Sequence, residues 1–198
     1  MKRNFVALVA SAALLAIAAA ATFLVIEHLR DGAGAPSPAA IGGPFSLTDQ
    51  DGRPVTDADY AGKWKLVFFG FTSCPEVCPT TLNQMALTLK ALGPLADEVQ
   101  PLFITVDPER DTPAVLKSYT EAFDARITGL TGTPEQIAAV AKAYGAFYQK
   151  VPQGDDYTMD HSTLIYVMRP DGRFQMVLRH NDVPDDMATR LKALIERG

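Results

Sequence analysis

The chain has 198 residues, with 18 Lys and Arg against 23 Asp and Glu and a formal net charge of −5. That balance argues against a surface built for nucleic acid or anionic lipid. Two cysteines and three histidines confine soft metal ligands and redox groups to a few positions, and no internal repeat is visible.

Phe5 to Ile26 carries no charge and is interrupted only by Ser11 and Thr22. A helix of that length rises to about 30 Å, enough to cross a bilayer core. Lys2 and Arg3 precede it, while Glu27, His28, Arg30 and Asp31 follow with little net charge. The positive-inside rule therefore predicts a cytoplasmic N-terminus and an exported domain. A cleaved signal peptide is the alternative, with Ala18 to Ala21 supplying the cleavage site; continuation of the run through Ile26 favours a retained anchor. No cysteine stands at the end of the run to take a lipid, and no Arg- and Ser-rich transit peptide leads it. The expected setting is a bacterial inner membrane crossed once, with the soluble domain in the periplasm.

The expected organisation is an anchor over residues 1–30, a linker over 31–44 ("DGAGAPSPAAIGGP") and one domain over 45–198. Setting aside the three basic and one acidic residues of the first thirty leaves 15 Lys and Arg against 22 Asp and Glu, a net charge of −7.

Within the domain, Phe45 to Val55 predicts a β-hairpin turning at Asp51-Gly52. Lys65 to Phe71, "KLVFFGF", predicts a buried strand. After the cysteine segment, Leu82, Met85, Leu89 and Leu92 recur at helical spacing, and Pro94 lies just beyond. Val99 to Val106 predicts a second strand. Thr112-Pro113 and Thr133-Pro134 each supply an N-cap followed by proline at the first helical position. Ile137, Val140, Ala141 and Tyr144 form the stripe of the second of these helices, and between the two lies a strand or a loop. Ser162 to Met168 and Phe174 to Leu178 predict a strand pair joined at Asp171-Gly172. Pro184 to Glu196 predicts a closing helix with Met187, Leu191, Leu194 and Ile195 inward. The alternation fits a mixed α/β sheet with helices on both faces and a site at the end of its first central strand.

That junction reads "FTSCPEVCPTTL" and holds both cysteines, Cys74 and Cys78. An oxidising compartment favours a disulfide, but a bridge closing so few residues restrains the unfolded chain little. A strand-to-helix cysteine pair is the thioredoxin-like layout, here C-x3-C rather than C-x-x-C. At a helix start a thiol pKa falls, which serves redox exchange and metal binding alike. Of the histidines, His28 flanks the membrane segment and His180 closes a strand beside Asn181. His161, in "YTMDHSTLIYV", stands on a loop before a predicted central strand. Its ordinary role there is packing or capping, but two thiolates and an imidazole together make a three-coordinate soft site suited to Cu(I) and tolerated by Cu(II). Zinc in a structural site takes four ligands, and Met159 is a further candidate thioether.

"GKWKLVFFGFTSCPEVCPTTL", "FITVDPERDTP", "LTGTPEQIAAVAKAYGAFYQKVP" and "YTMDHSTLIYVMRPDGRF" together resemble the Sco/SenC/PrrC family of membrane-anchored, thioredoxin-like copper chaperones, over nearly the whole exported domain. The resemblance implies a thioredoxin-like fold with an added N-terminal hairpin. It implies copper, as Cu(I) or Cu(II), held by Cys74, Cys78 and His161 and delivered to the dinuclear copper site of cytochrome c oxidase subunit II during oxidase assembly. A periplasmic copper donor and a thiol reductant are further implied partners. The alternative is a thiol:disulfide oxidoreductase that uses a redox-active Cys74–Cys78 pair to keep the acceptor's cysteines reduced. Glu76 replaces an aspartate common in the family without touching a ligand. Asp107 and Asp111 read as turn and capping residues or as carboxylates that support the copper loop or dock a partner, not as direct Cu(I) ligands. Asp160 is a candidate to orient His161.

Overall fold

In the computed structural model, which describes residues 41–197, the apolar run after Lys63 forms a strand buried along its whole length. The expected anchor and the linker up to residue 40 lie outside the described residues. Among the described residues no helix is long and apolar enough to cross a membrane.

Strands β1 (Ser46–Asp49) and β2 (Pro54–Thr56) form the predicted hairpin, pairing Leu47 with Val55. The core strands are β3 (Trp64–Gly70), β4 (Val99–Thr105) and β5 (Thr128–Thr131), so the segment read as strand or loop is a strand. Beyond them lie β6 (Tyr148–Gln153), β7 (Asp156–His161), β8 (Leu164–Met168) and β9 (Phe174–Arg179). The helices are α1 (Val77–Leu92), α2 (Pro113–Glu121), α3 (Pro134–Tyr144) and α4 (Pro184–Ile195). Thr112 and Thr133 accept from Val115 and Gln136 backbone N–H groups as N-caps, and Gly145 ends α3 in the left-handed conformation, where a side chain would be strained.

Seven strands make one mixed sheet in the order β2-β1-β5-β4-β3-β8-β9, while β6 and β7 pair only with each other. β3, β4 and β5 run parallel, and β8 lies antiparallel to β3. The parallel steps from β3 to β5 run in one direction, so right-handed crossovers place α1 and α2 on the same face. On that face Phe103 packs against Tyr119 of α2 with centroids 5.7 Å apart, and Thr88 of α1 meets Met187 of α4. On the other face Tyr144 of α3 stands edge-on to Phe69 and Tyr166, each at 5.5 Å. Helices therefore cover both faces, which is why β3 reads as a continuous apolar run without alternation.

Phe68, Phe69, Phe71 and Phe103 are fully buried, each stabilising the fold by about 1.5–3 kcal/mol relative to an exposed ring. Lys65 is the polar exception in β3: its buried Nζ donates to the carbonyls of Tyr60, Lys63 and Arg169. At the N-terminal side, the Gly42 N–H donates to Ala143 O at 2.9 Å, so the chain is already fixed to the body within the segment expected as linker. Gly42 has φ +94 and lies so close to Met168 that a Cβ would collide.

The β6–β7 hairpin stands where the sequence predicts a loop before β8. Its residues are mostly partly or fully exposed on both sides of the ribbon, so no apolar alternation marks it. The available signal was Gly154 with φ +62 in the turn between two six-residue strands.

Candidate metal centre

The two cysteines sit where β3 ends and α1 begins. Cys74 lies in the connecting loop, where its N–H donates to Phe71 O at 3.2 Å. Cys78 is in the first turn of α1 and is fully buried, Cys74 is half-buried, and both are free thiols. The close packing of α1 on the sheet depends on Gly70, where a Cβ would stand 2.6 Å from Cys78 Sγ.

The third arm is the hairpin. His161 is the last residue of β7, opposite Tyr148. Beyond it, the Ser162 N–H donates to Phe147 O and its Oγ accepts from the Phe147 N–H, both at 2.9 Å. His161 Nδ1 lies 2.9 Å from Ser162 O; donation to that carbonyl puts the neutral ring's proton on Nδ1, so that in this form Nε2 presents its lone pair to an ion. Nε2 faces Cys78 Sγ at 3.5 Å. The imidazole is seated edge-on against Phe68 and Phe71, with centroids 6.0 and 5.7 Å away.

Ligand atoms of Cys74, Cys78 and His161 all lie within 4.8 Å of one another. Bonds of about 2.0–2.3 Å from imidazole and thiolate require trigonal donors about 3.5–4 Å apart, so a small closure makes a three-coordinate site. Two thiolates and an imidazole suit a soft ion. No other histidine, cysteine or acid joins this cluster among the described residues, which disfavours four-ligand structural zinc.

The two sulfurs differ in charge. A hydrogen bond from the Cys78 thiol holds the Cys74 thiol well below the usual range against the cost of its burial, with further help from His161 and the Cys78 and Glu76 backbone N–H groups. Cys78 is pushed up by that same bond and by burial. Burial pulls the His161 pKa down, but the Cys74 thiolate and the Ser162 carbonyl outweigh it, and the net direction is up. Alkylation of the reduced protein is therefore expected to label Cys74 before Cys78. Its rate should change less than about threefold between pH 6 and 8, where a free thiol gains roughly 75-fold. Peptide mass spectrometry at timed quenches checks this; a steep rise for Cys74 would count against it.

Asp111 and Asp107 are both buried and neither reaches the ligand cluster. Asp111 accepts from the Thr72 N–H at 3.0 Å, Thr72 Oγ1 at 2.5 Å and Thr105 Oγ1 at 2.6 Å. It thus ties the loop two residues before Cys74 to the end of β4. Asp107 accepts from Tyr157 Oη at 2.9 Å and from Arg110 Nε, bracing the hairpin that carries His161. Asp160 is exposed and alternates to the opposite side of β7 from His161; the group on His161 Nδ1 is the Ser162 carbonyl instead. Met159 is packed in the core, lining a cavity with Val106 and Ile137. His180, just after β9, is outside the cluster, and His28 lies outside the described residues.

Sequence reasoning missed Thr72, Thr105, Arg110, Tyr157 and Ser162 as supports of the site. The spacing of Arg110 after Asp107 was visible in "VDPERDTP"; the hairpin partner Tyr157 had no local signal.

The SCO1/SenC family profile matches residues 33–196. "Protein SCO2 homolog, mitochondrial" from Bos taurus is 48% identical over 141 residues, covering 69% of this chain and 53% of the relative. The chain spans about half the length of the curated relatives it matches. The solved structure of Bradyrhizobium japonicum ScoI with copper bound is 51% identical, with a TM-score of 0.74 over 78% of this chain and 99% of that one. BsSco, described with a disulfide switch as a member of the Sco family of cytochrome c oxidase assembly proteins, is 28% identical, with a TM-score of 0.64 over 79% of this chain and 94% of that one. With its thioredoxin-like α/β domain and its match along nearly the full described length, the chain belongs to the SCO1/SenC family.

Proposed function

We propose that this protein is a copper chaperone that takes up one Cu(I) through Cys74, Cys78 and His161. It delivers the ion to the dinuclear copper site of cytochrome c oxidase subunit II during oxidase assembly. The observation that carries the reading is the convergence of two sulfurs and a ring nitrogen within 4.8 Å. Copper in the solved Bradyrhizobium relative and the membership of BsSco in a family of cytochrome c oxidase assembly proteins support it. Uptake displaces the proton that Cys78 holds, because only the thiolate ligates the ion. Cys74 and His161 are both partly exposed while Cys78 is buried, so an incoming thiolate or imidazole adds beside these two before a bond to the chaperone breaks. Residues 1–30 act as the periplasm-facing domain's membrane anchor and the following linker supplies reach; the domain receives copper from a periplasmic donor.

A second reading is favoured by the two free sulfurs lying within the same 4.8 Å and by the disulfide switch described for BsSco. The Cys74 thiolate attacks an acceptor disulfide, breaking its S–S bond and releasing one thiolate. Cys78, after losing its proton, attacks Cys74 Sγ in the mixed disulfide and frees the second. Two electrons pass to the acceptor, the Cys74–Cys78 pair becomes a disulfide, and a thiol reductant restores it.

Anaerobic Cu(I) titration of the reduced full chain in detergent, in competition with a calibrated chelator, separates the readings. One-to-one binding weakened at least about tenfold by His161→Ala is expected for the chaperone. Binding indifferent to His161 would leave the pair as a redox device.

A further inference from the structure

We propose that Arg110 and Tyr157 are positioning residues for copper binding: with Asp107 they form a latch that sets how the hairpin presents His161 to the cysteine pair. This rests on the copper reading above.

A two-stranded ribbon is marginal by itself, and β6–β7 adds to no other strand. Its base pair, Tyr148 and His161, is the pivot where the ribbon joins α3 and β8, so the tilt and twist of the strand that carries His161 need a second attachment. Tyr157, near the turn, supplies it in three ways. Its hydroxyl donates to Asp107 Oδ1 at 2.9 Å, its carbonyl accepts from Arg110 Nη1 at 3.0 Å, and its ring centroid lies 3.8 Å from the Arg110 guanidinium. Arg110 Nε also donates to Asp107, so one guanidinium joins the loop after β4 to the hairpin backbone.

Burial decides which contacts matter. Asp107 is 3% exposed and Arg110 27%, whereas the Lys150–Glu109 pair on the same seam is 46% and 61% exposed. Exposed pairs contribute little, while shielded, charge-assisted bonds contribute more. Apolar packing does not close the seam alone, because a cavity of about 170 Å³ lies under the hairpin, lined by Val106, Ile137, Tyr148 and Met159 among others.

The latch is continuous with the cysteine arm. The Asp107 N–H donates to Thr105 Oγ1, which donates to Asp111, which holds Thr72. The segment from Asp107 to Asp111 therefore holds both arms of the site in one hydrogen-bonded chain. Loosening its hairpin end re-aims the His161 side chain while leaving the sulfurs in place.

The test is a double-mutant cycle on the reduced full chain in detergent, with Cu(I) competition titration as the readout for Arg110→Ala and Tyr157→Phe, each with and without His161→Ala. Each latch variant is expected to weaken Cu(I) binding about tenfold, the lower end for groups that orient a metal ligand, and to have no further effect once His161 is gone. X-ray absorption of the Cu(I) complexes is expected to lose imidazole scattering in the latch variants, which a general loss of stability would not produce. Tyr157→Phe removes only one oxygen and keeps the proposal testable if Arg110→Ala fails to fold. Wild-type affinity in the latch variants, or equal weakening with and without His161, would overturn the latch. If His161→Ala itself had no effect, the copper site would fall instead.

Discussion

Asp111→Ala is expected to lower folding stability by about 3–5 kcal/mol and to weaken Cu(I) binding along with it. The carboxylate accepts from three donors, the Thr72 N–H and the hydroxyls of Thr72 and Thr105, at 2.5–3.0 Å, and each donor left unpaired in a buried place costs about 1–3 kcal/mol. The total falls below the simple sum for two reasons. Hydroxyls can rotate toward other acceptors, and burial pushes the Asp111 carboxyl pKa up against the pull of its donors, so desolvation already offsets part of what the bonds contribute. Thr72 is two residues from Cys74, so freeing it frees the loop. Urea unfolding monitored through Trp64 fluorescence and Cu(I) titration together check this. A stability loss under about 1 kcal/mol would mean that the loop is held by its apolar neighbours and not by Asp111.

Gly70→Ala is expected to cost about 1–3 kcal/mol, the usual penalty for overpacking a closed core, and to separate Cys78 from His161. The added Cβ would stand 2.6 Å from Cys78 Sγ and 2.8 Å from Phe103 Cε2. Neither neighbour has room to retreat, since both are fully buried. The path of relief is a shift of α1 at its first turn, which moves one ligand and not the other two. The Cys78–His161 distance of 3.5 Å then opens, and Cu(I) affinity falls more than stability predicts. An alanine variant with wild-type melting and wild-type affinity would show that the start of α1 yields without consequence. A glycine inside an otherwise large and apolar strand is a sequence sign of close approach by another element, and here that element is the helix carrying the second cysteine.

Most of the architecture was legible because its cues are local. Thr112-Pro113 and Thr133-Pro134 cap the helices they were expected to cap, and Asp51-Gly52 lies at the hairpin turn. Aromatic and branched residues from Trp64 to Phe69 left β3 no place but the middle of the sheet. The β6–β7 ribbon was not legible from apolar pattern because its faces are largely polar, and its orientation comes from Arg110, which is 46 or 47 residues distant from its partners on β7.

By itself the sequence determined the α/β alternation, the placing of Cys74 and Cys78 at a strand-to-helix junction, and a short list of soft donors that contained His161. These follow from periodicity, capping and residue chemistry, which act over a few neighbours. Only the tertiary structure decided that His161 arrives on a ribbon with its Nε2 toward Cys78, that Ser162 rather than Asp160 takes its other nitrogen, and that Asp107 and Asp111 face inward as braces. Those outcomes depend on which distant groups meet in a buried space, where an unpaired donor or carboxylate is costly, and that meeting is set by the packing of the whole chain.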